Sequence, residues 1–96
     1  MPTKRDILQR REEILAIARP HGASDVRLFG SVARGDSGES SDVDFVVRLE
    51  PGRSLLDQGA LLMELRELLG TEVDVLTEGA LTGRFGQIVR GEAVPI

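Results

Sequence analysis

The chain has 96 residues, of which 41% are hydrophobic and 29% are charged, and its formal net charge is −4. This length and composition predict one globular domain spanning residues 1–96, and the lack of cysteine excludes disulfides, thiolate zinc sites and a thiol nucleophile. The negative charge and the presence of only three aromatic residues, all phenylalanine, argue against direct nucleic-acid binding.

Two further classes of protein are disfavoured by the sequence. No stretch approaches the roughly 20 apolar residues of a membrane span, and the charged first residues lack the apolar core of a signal peptide. The chain also has no Gly-x-x-x-x-Gly-Lys-[Ser/Thr] loop, which excludes a Walker-type ATPase. We therefore expect a cytoplasmic protein that does not enter a membrane.

The first predicted element is a helix over residues 4–18. Thr3 is its predicted N-cap, with Asp6 in the capping-box position, and the run Pro20-His21-Gly22 ends it. A first strand is predicted over residues 26–29, where apolar side chains alternate, and it stops at Gly30.

A polar loop is predicted at residues 36–41, and a second strand follows it. The apolar side chains expected on one face of that strand are Val43, Phe45, Val47 and Leu49. Ser54 then caps a leucine-rich helix that Gly70 terminates, and residues 73–76 form a third strand. A short helix with a shared apolar face is predicted from Leu81, Phe85, Ile88 and Val89, with residues 92–96 extended. This order of elements predicts an α/β fold, a small mixed β-sheet backed by helices on one side.

Two carboxylates stand two positions apart at the start of the second strand, Asp42 and Asp44. Alternate strand residues project from one face, so the pair lies within bridging distance and repels unless a cation joins it. Asp74, on the third strand, supplies a third ligand if that strand pairs beside the second. Oxygen ligands favour Mg²⁺, and three carboxylates can hold two ions about 4 Å apart, an arrangement that serves phosphoryl or nucleotidyl transfer.

The turn that ends the first strand is the second candidate feature. Gly30-Ser31 places backbone N–H groups and a hydroxyl at the start of a short helical segment, which suits a phosphate. Arg34 follows one turn later as a candidate second phosphate contact. Each feature has a simpler explanation by itself, because Asp-x-Asp is common in turns and Asp74 could be a solvent-facing edge residue. Their conjunction favours a functional site.

A family resemblance is carried by two runs, Gly30-Ser31-Val32-Ala33-Arg34-Gly35 and Ser41-Asp42-Val43-Asp44-Phe45. Together they resemble the signature of the polymerase-β-like nucleotidyltransferases, specifically the minimal nucleotidyltransferases, over residues 24–76.

The resemblance implies a role for each candidate residue. Asp42 and Asp44 would coordinate two Mg²⁺ ions, and Gly30 and Ser31 would hold the triphosphate of ATP. Asp74 would complete the metal site and help to deprotonate an acceptor hydroxyl as it attacks the α-phosphate, with pyrophosphate leaving.

Minimal members of this size are similar to the antitoxin of a bacterial toxin–antitoxin pair, whose partner is a HEPN-domain ribonuclease. The resemblance implies AMP transfer from ATP to a tyrosine of that toxin. This chain has no tyrosine, so a tyrosyl acceptor would lie on another molecule.

Two other functions remain open at this point. The chain could neutralise its toxin by binding alone, or transfer nucleotides to a small molecule or an RNA end. Three mutually repelling carboxylates favour catalysis over simple occlusion.

Overall fold

The structure, a computed structural model, describes residues 2–35 and 42–96 and arranges them around a four-stranded sheet. The strands are β1 (Ala23–Phe29), β2 (Val43–Leu49), β3 (Val73–Thr77) and β4 (Val94–Pro95), in the order β3-β2-β1-β4. β2 and β3 are parallel, whereas β1 is antiparallel to both β2 and β4. The predicted mixed α/β sheet is therefore confirmed, and the polar loop predicted at residues 36–41 lies outside the described residues.

Five α-helices accompany the sheet in the described ranges: α1 (Lys4–Gln9), α2 (Arg11–Ala18), α3 (Gly30–Arg34), α4 (Leu55–Leu69) and α5 (Gly83–Glu92). Short 3-10 turns occupy Arg19–His21 and Glu78–Ala80. The capping boxes predicted at Thr3 and Ser54 are both present. Gly22 and Gly70 end their helices in the left-handed conformation, at φ of 73° and 67°.

The predicted helix over residues 4–18 is divided at Arg10. This residue leaves helical geometry, with φ −101° and ψ 17°. Its guanidinium donates a 2.8 Å hydrogen bond to the carbonyl of Leu68 at the end of α4. The break therefore coincides with a long-range contact that local sequence patterns do not report.

The main hydrophobic core lies between one face of the sheet and helices α1, α2 and α4. Val43, Phe45 and Val47 are fully buried on that face of β2, as the alternation predicted. The helical residues that pack there with full burial include Ile7, Ile14, Leu61 and Leu65.

The opposite face of the sheet is also covered, which corrects the expectation of helices on one side only. Phe29 and Val46 pack there with Leu81 and Val89. β2 is apolar on both faces at its centre, and α5 buries the second of them. This places α5 on the face that carries the even-numbered residues of β2.

The apolar face predicted for the last helix is only half correct. Leu81 and Val89 are buried, but Phe85 and Ile88 are 53% and 50% exposed. Gly86 is buried, and a Cβ there would lie 2.5 Å from the backbone carbonyl of Leu81. No helix within the described residues combines the length and apolar character needed to cross a bilayer.

Candidate active site

The two predicted strand carboxylates meet across the parallel pair β2 and β3. Asp44 is directly opposite Asp74 in the register of the two strands. Asp42 immediately precedes β2 and is exposed. Since strand side chains alternate, Asp44 and Asp74 project from the sheet face that also carries Val46 and Leu76. The sheet thus brings together at one end the acidic residues that lie far apart in sequence.

Gly30 completes this end of the sheet from β1. Phe29 pairs with Asp44, and Gly30 follows it with φ +75°, a conformation that favours glycine. A Cβ on Gly30 would lie 2.5 Å from Oδ2 of Asp44. The glycine therefore allows the backbone to pass against this carboxylate, and half-buried Ser31 follows it in the first turn of α3.

The carboxylates at this end of the sheet are close enough to affect the ionisation of Asp44. Burial raises the pKa of Asp44 from 3.8 to about 6, and the negative charges of Asp74 and Asp42 add to the rise. The positive charge of Arg34 opposes it. An excess of negative charge at one point is a setting in which a divalent cation is stabilised.

The donor set fits Mg²⁺ in kind, since it consists of carboxylates. Within residues 2–35 and 42–96, the structure contains no group of three acidic or histidine side chains placed so that they could hold a metal ion. One oxygen of Asp74, Oδ1, accepts a 3.0 Å hydrogen bond from the backbone N–H of Val75. Coordination by all three carboxylates would therefore require some rearrangement of their side chains.

Arg34, predicted as a phosphate contact, is held by α5. Its Nη1 donates to both carboxylate oxygens of Glu92, at 3.0 and 3.1 Å. Glu92 was not among the predicted site residues, because a partner 58 positions away leaves no local signal in the sequence. The pair joins α3, which carries Gly30 and Ser31, to the last helix.

We predict that Asp44→Asn stabilises the metal-free protein at neutral pH. The pKa of Asp44 in the folded protein is raised to about 6, so the folded state binds the Asp44 proton more tightly than the unfolded state does. The resulting stabilisation is fully present below the unfolded pKa and is lost as pH rises through about 6. At pH 7 the variant should gain about 1 kcal/mol, a value kept small because the side chain is partly solvated. Urea unfolding in EDTA at pH 5 and pH 7 measures this, and an equal difference at both pH values would contradict it.

The sequence matches the family described as nucleotidyltransferase domain over residues 6–93. It is also 44% identical in sequence to a solved structure described as a provisional minimal nucleotidyltransferase. That structure superposes with a TM-score of 0.87, and the match covers 98% of this chain and 96% of the other. The chain belongs to the minimal nucleotidyltransferase family.

Curated relatives of this minimal nucleotidyltransferase are archaeal. A protein of Methanocaldococcus jannaschii, provisionally named a protein adenylyltransferase, is 40% identical over 90% of this chain and 92% of its own length. The protein adenylyltransferase MntA of Thermococcus cleftensis is 35% identical over 86% of this chain and 92% of its own length.

More distant structures agree in fold. A toxin–antitoxin structure with AMP-PNP superposes with a TM-score of 0.75 at 21% identity, covering 88% of this chain and 69% of the other. The polymerase-β-like fold predicted from the two sequence runs is thus confirmed, and the chain is a nucleotidyltransferase.

Proposed function

We propose that this nucleotidyltransferase transfers AMP from ATP to a tyrosine hydroxyl of a HEPN-domain toxin and thereby acts as its antitoxin. The observation that carries the proposal is the register of Asp44 opposite Asp74, with Gly30 against the same carboxylate. Support for a protein acceptor comes from the two relatives named as protein adenylyltransferases. A structure of the same fold is described as a tri-AMPylated HEPN toxin from Shewanella oneidensis in complex with an MNT antitoxin.

In this proposal, two Mg²⁺ ions would be held by Asp42, Asp44 and Asp74. Bound Mg²⁺ supplies charge stabilisation at the attacking and leaving oxygens. Gly30 and Ser31 bind the triphosphate through backbone N–H groups and the hydroxyl, and Arg34 offers a cation beside them. The negative charges of Asp74 and Asp42 beside Asp44 favour this assignment, because a divalent cation would neutralise their repulsion.

The chemical step is an in-line displacement at the α-phosphorus. The tyrosine oxygen forms a bond to that phosphorus, the bond to the β-phosphate bridging oxygen breaks, and pyrophosphate leaves. Asp74 takes the proton of the acceptor hydroxyl, since it borders Asp44 across the strand pair and is exposed to an incoming group. ATP as donor is consistent with a cytoplasmic location, which we also propose.

The proposed function predicts label transfer to a protein. The purified chain is incubated with α-³²P-ATP and Mg²⁺, with and without a candidate HEPN-domain partner. We expect label on the partner, at a tyrosine that mass spectrometry identifies. This chain has no tyrosine and should acquire no tyrosyl label.

Two other outcomes would replace the proposal. Neutralisation of the toxin without any labelling would indicate inhibition by occlusion. Labelling of a small molecule or an RNA end, with no protein acceptor, would indicate a different substrate class.

A further inference from the structure

Helix α5 lies on the sheet face that carries Asp44 and Asp74. Its contacts show which side of the helix faces each end of the sheet. Gly86 and Val89 are buried, and Val89 packs with Phe29 and Val46 of the sheet. Arg90 reaches Glu78, which follows the C-terminal end of β3, with Nη2 3.4 Å from Oε2. Glu92 pairs with Arg34 at the end of α3.

These two ion pairs lie at opposite ends of the sheet. β2 and β3 are parallel, so their N-terminal ends, with the carboxylates, are at one end, and Glu78 is at the other. α3 begins where β1 ends beside Asp44. The side of α5 that carries Glu92 therefore faces the carboxylates, and the side that carries Arg90 faces away from them.

Phe85 and Ile88 share the side of Glu92. The three residues have i, i+3, i+7 spacing, which forms one stripe on an α-helix. With a rise of 1.5 Å per residue, Ile88 lies about 6 Å and Phe85 about 10 Å from Glu92 along the helix axis. An exposed apolar strip thus extends along α5 from the contact between Arg34 and Glu92, on the side of the helix that carries Glu92.

The exposure of Phe85 sets it apart from the other aromatic residues. Phe29 and Phe45 are 9% and 0% exposed, whereas Phe85 is 53% exposed. Ile88, one turn away, is 50% exposed. An aromatic ring and an aliphatic side chain at this position offer a flat apolar contact, and bases stack on such rings with little dependence on sequence.

We propose that Phe85 and Ile88 form the contact surface for the base of the nucleoside triphosphate. The inference rests on the proposed use of ATP, and it adds the base-binding element to the triphosphate site at Gly30, Ser31 and Arg34. The argument for this occupant is continuity, because Ile88 lies one helical turn from Glu92, the partner of Arg34, on the same side of α5.

The first test separates base binding from phosphate binding. Phe85→Ala should raise the KM for ATP about tenfold and leave kcat within about twofold, the pattern of lost uniform binding. Inhibition by inorganic triphosphate, which has no base, should be unchanged. Leu56→Ala is the matched control, since Leu56 is 84% exposed on α4 at the opposite face of the sheet, and it should alter neither constant.

The second test uses fluorescence and needs no turnover. The chain has no tryptophan, so Phe85→Trp introduces a single indole at the proposed contact. ATP should quench it and inorganic triphosphate should not, whereas Leu56→Trp should respond to neither.

An unchanged KM for ATP in Phe85→Ala, or equal quenching by ATP and triphosphate, would overturn the proposal. Loss of acceptor labelling at normal ATP affinity would assign Phe85 to acceptor docking instead. A wild-type protein that binds triphosphate but transfers no AMP would refute the proposed function, and quenching of Phe85→Trp by ATP would still support base contact.

Discussion

Replacing Asp44 with asparagine is expected to lower nucleotidyl transfer by about a thousandfold, because the change removes a carboxylate from the point where developing charge must be stabilised. Asparagine keeps the shape of the side chain beside Gly30 and opposite Asp74. The expected loss is therefore one of charge and not of packing. Rates of label transfer from α-³²P-ATP, measured at saturating Mg²⁺, give the comparison.

The matched control for this substitution is Asp25→Asn on β1. Asp25 lies 3.6 Å from Arg27 and 3.7 Å from Arg48, at the end of the sheet away from Asp44. It also has φ +51°, a left-handed conformation that asparagine tolerates. Asp25→Asn should keep transfer within about twofold, since Asp25 lies near the opposite end of β1 from Gly30 and Asp44. Residual activity above about a tenth of wild type in Asp44→Asn would remove this aspartate from the proposed metal site.

The same Asp44 substitution is expected to raise stability while it removes activity. Partial burial of Asp44 raises its pKa, and the negative charges of Asp74 and Asp42 raise it further, so the ionised carboxylate is unfavourable in the folded protein. A carboxylate that is placed to bind a cation therefore lowers the stability of the folded protein when no cation is bound. Opposite changes in stability and transfer would show that the loss of activity does not come from unfolding.

The strand positions of Asp44 and Asp74 could be predicted because they depend on local patterns. The period of two in a β-strand places Asp42 and Asp44 on one face, and the apolar run around Asp74 marks a third strand. Strand order could not be predicted, because nothing local specifies that β3 pairs beside β2 in parallel. A contribution of Asp74 to the site depends on this pairing, which the structure contains with Asp44 opposite Asp74.

The features that sequence patterns missed all depend on distant partners. Arg10 interrupts the first helix where it reaches Leu68, and Glu92 pairs with Arg34 across 58 positions. The rotation of α5 was also missed, because an apolar spacing at Leu81, Phe85, Ile88 and Val89 does not tell which members face the sheet. Val89 packs with Phe29 and Val46 of the sheet, and Gly86 lies against the backbone of Leu81, where a Cβ would come within 2.5 Å of the carbonyl.

Replacing Gly30 with alanine is expected to lower transfer by about a hundredfold and to destabilise the fold by about 1 to 2 kcal/mol. The stability loss follows from φ +75°, a left-handed conformation that costs an L-residue this amount. The loss of transfer has a separate cause, because the new Cβ would lie 2.5 Å from Oδ2 of Asp44 and must displace that carboxylate. A shift of about 1 Å in a catalytic group is enough for such a loss.

Gly70→Ala separates these two causes. Gly70 has φ +67°, close to that of Gly30, but a Cβ there would meet nothing within 4 Å. It should therefore lose similar stability and keep its rate of transfer. Urea unfolding and label transfer on both variants measure the two quantities. Equal transfer by Gly30→Ala and Gly70→Ala would mean that the contact between Gly30 and Asp44 does not position the carboxylate for the reaction.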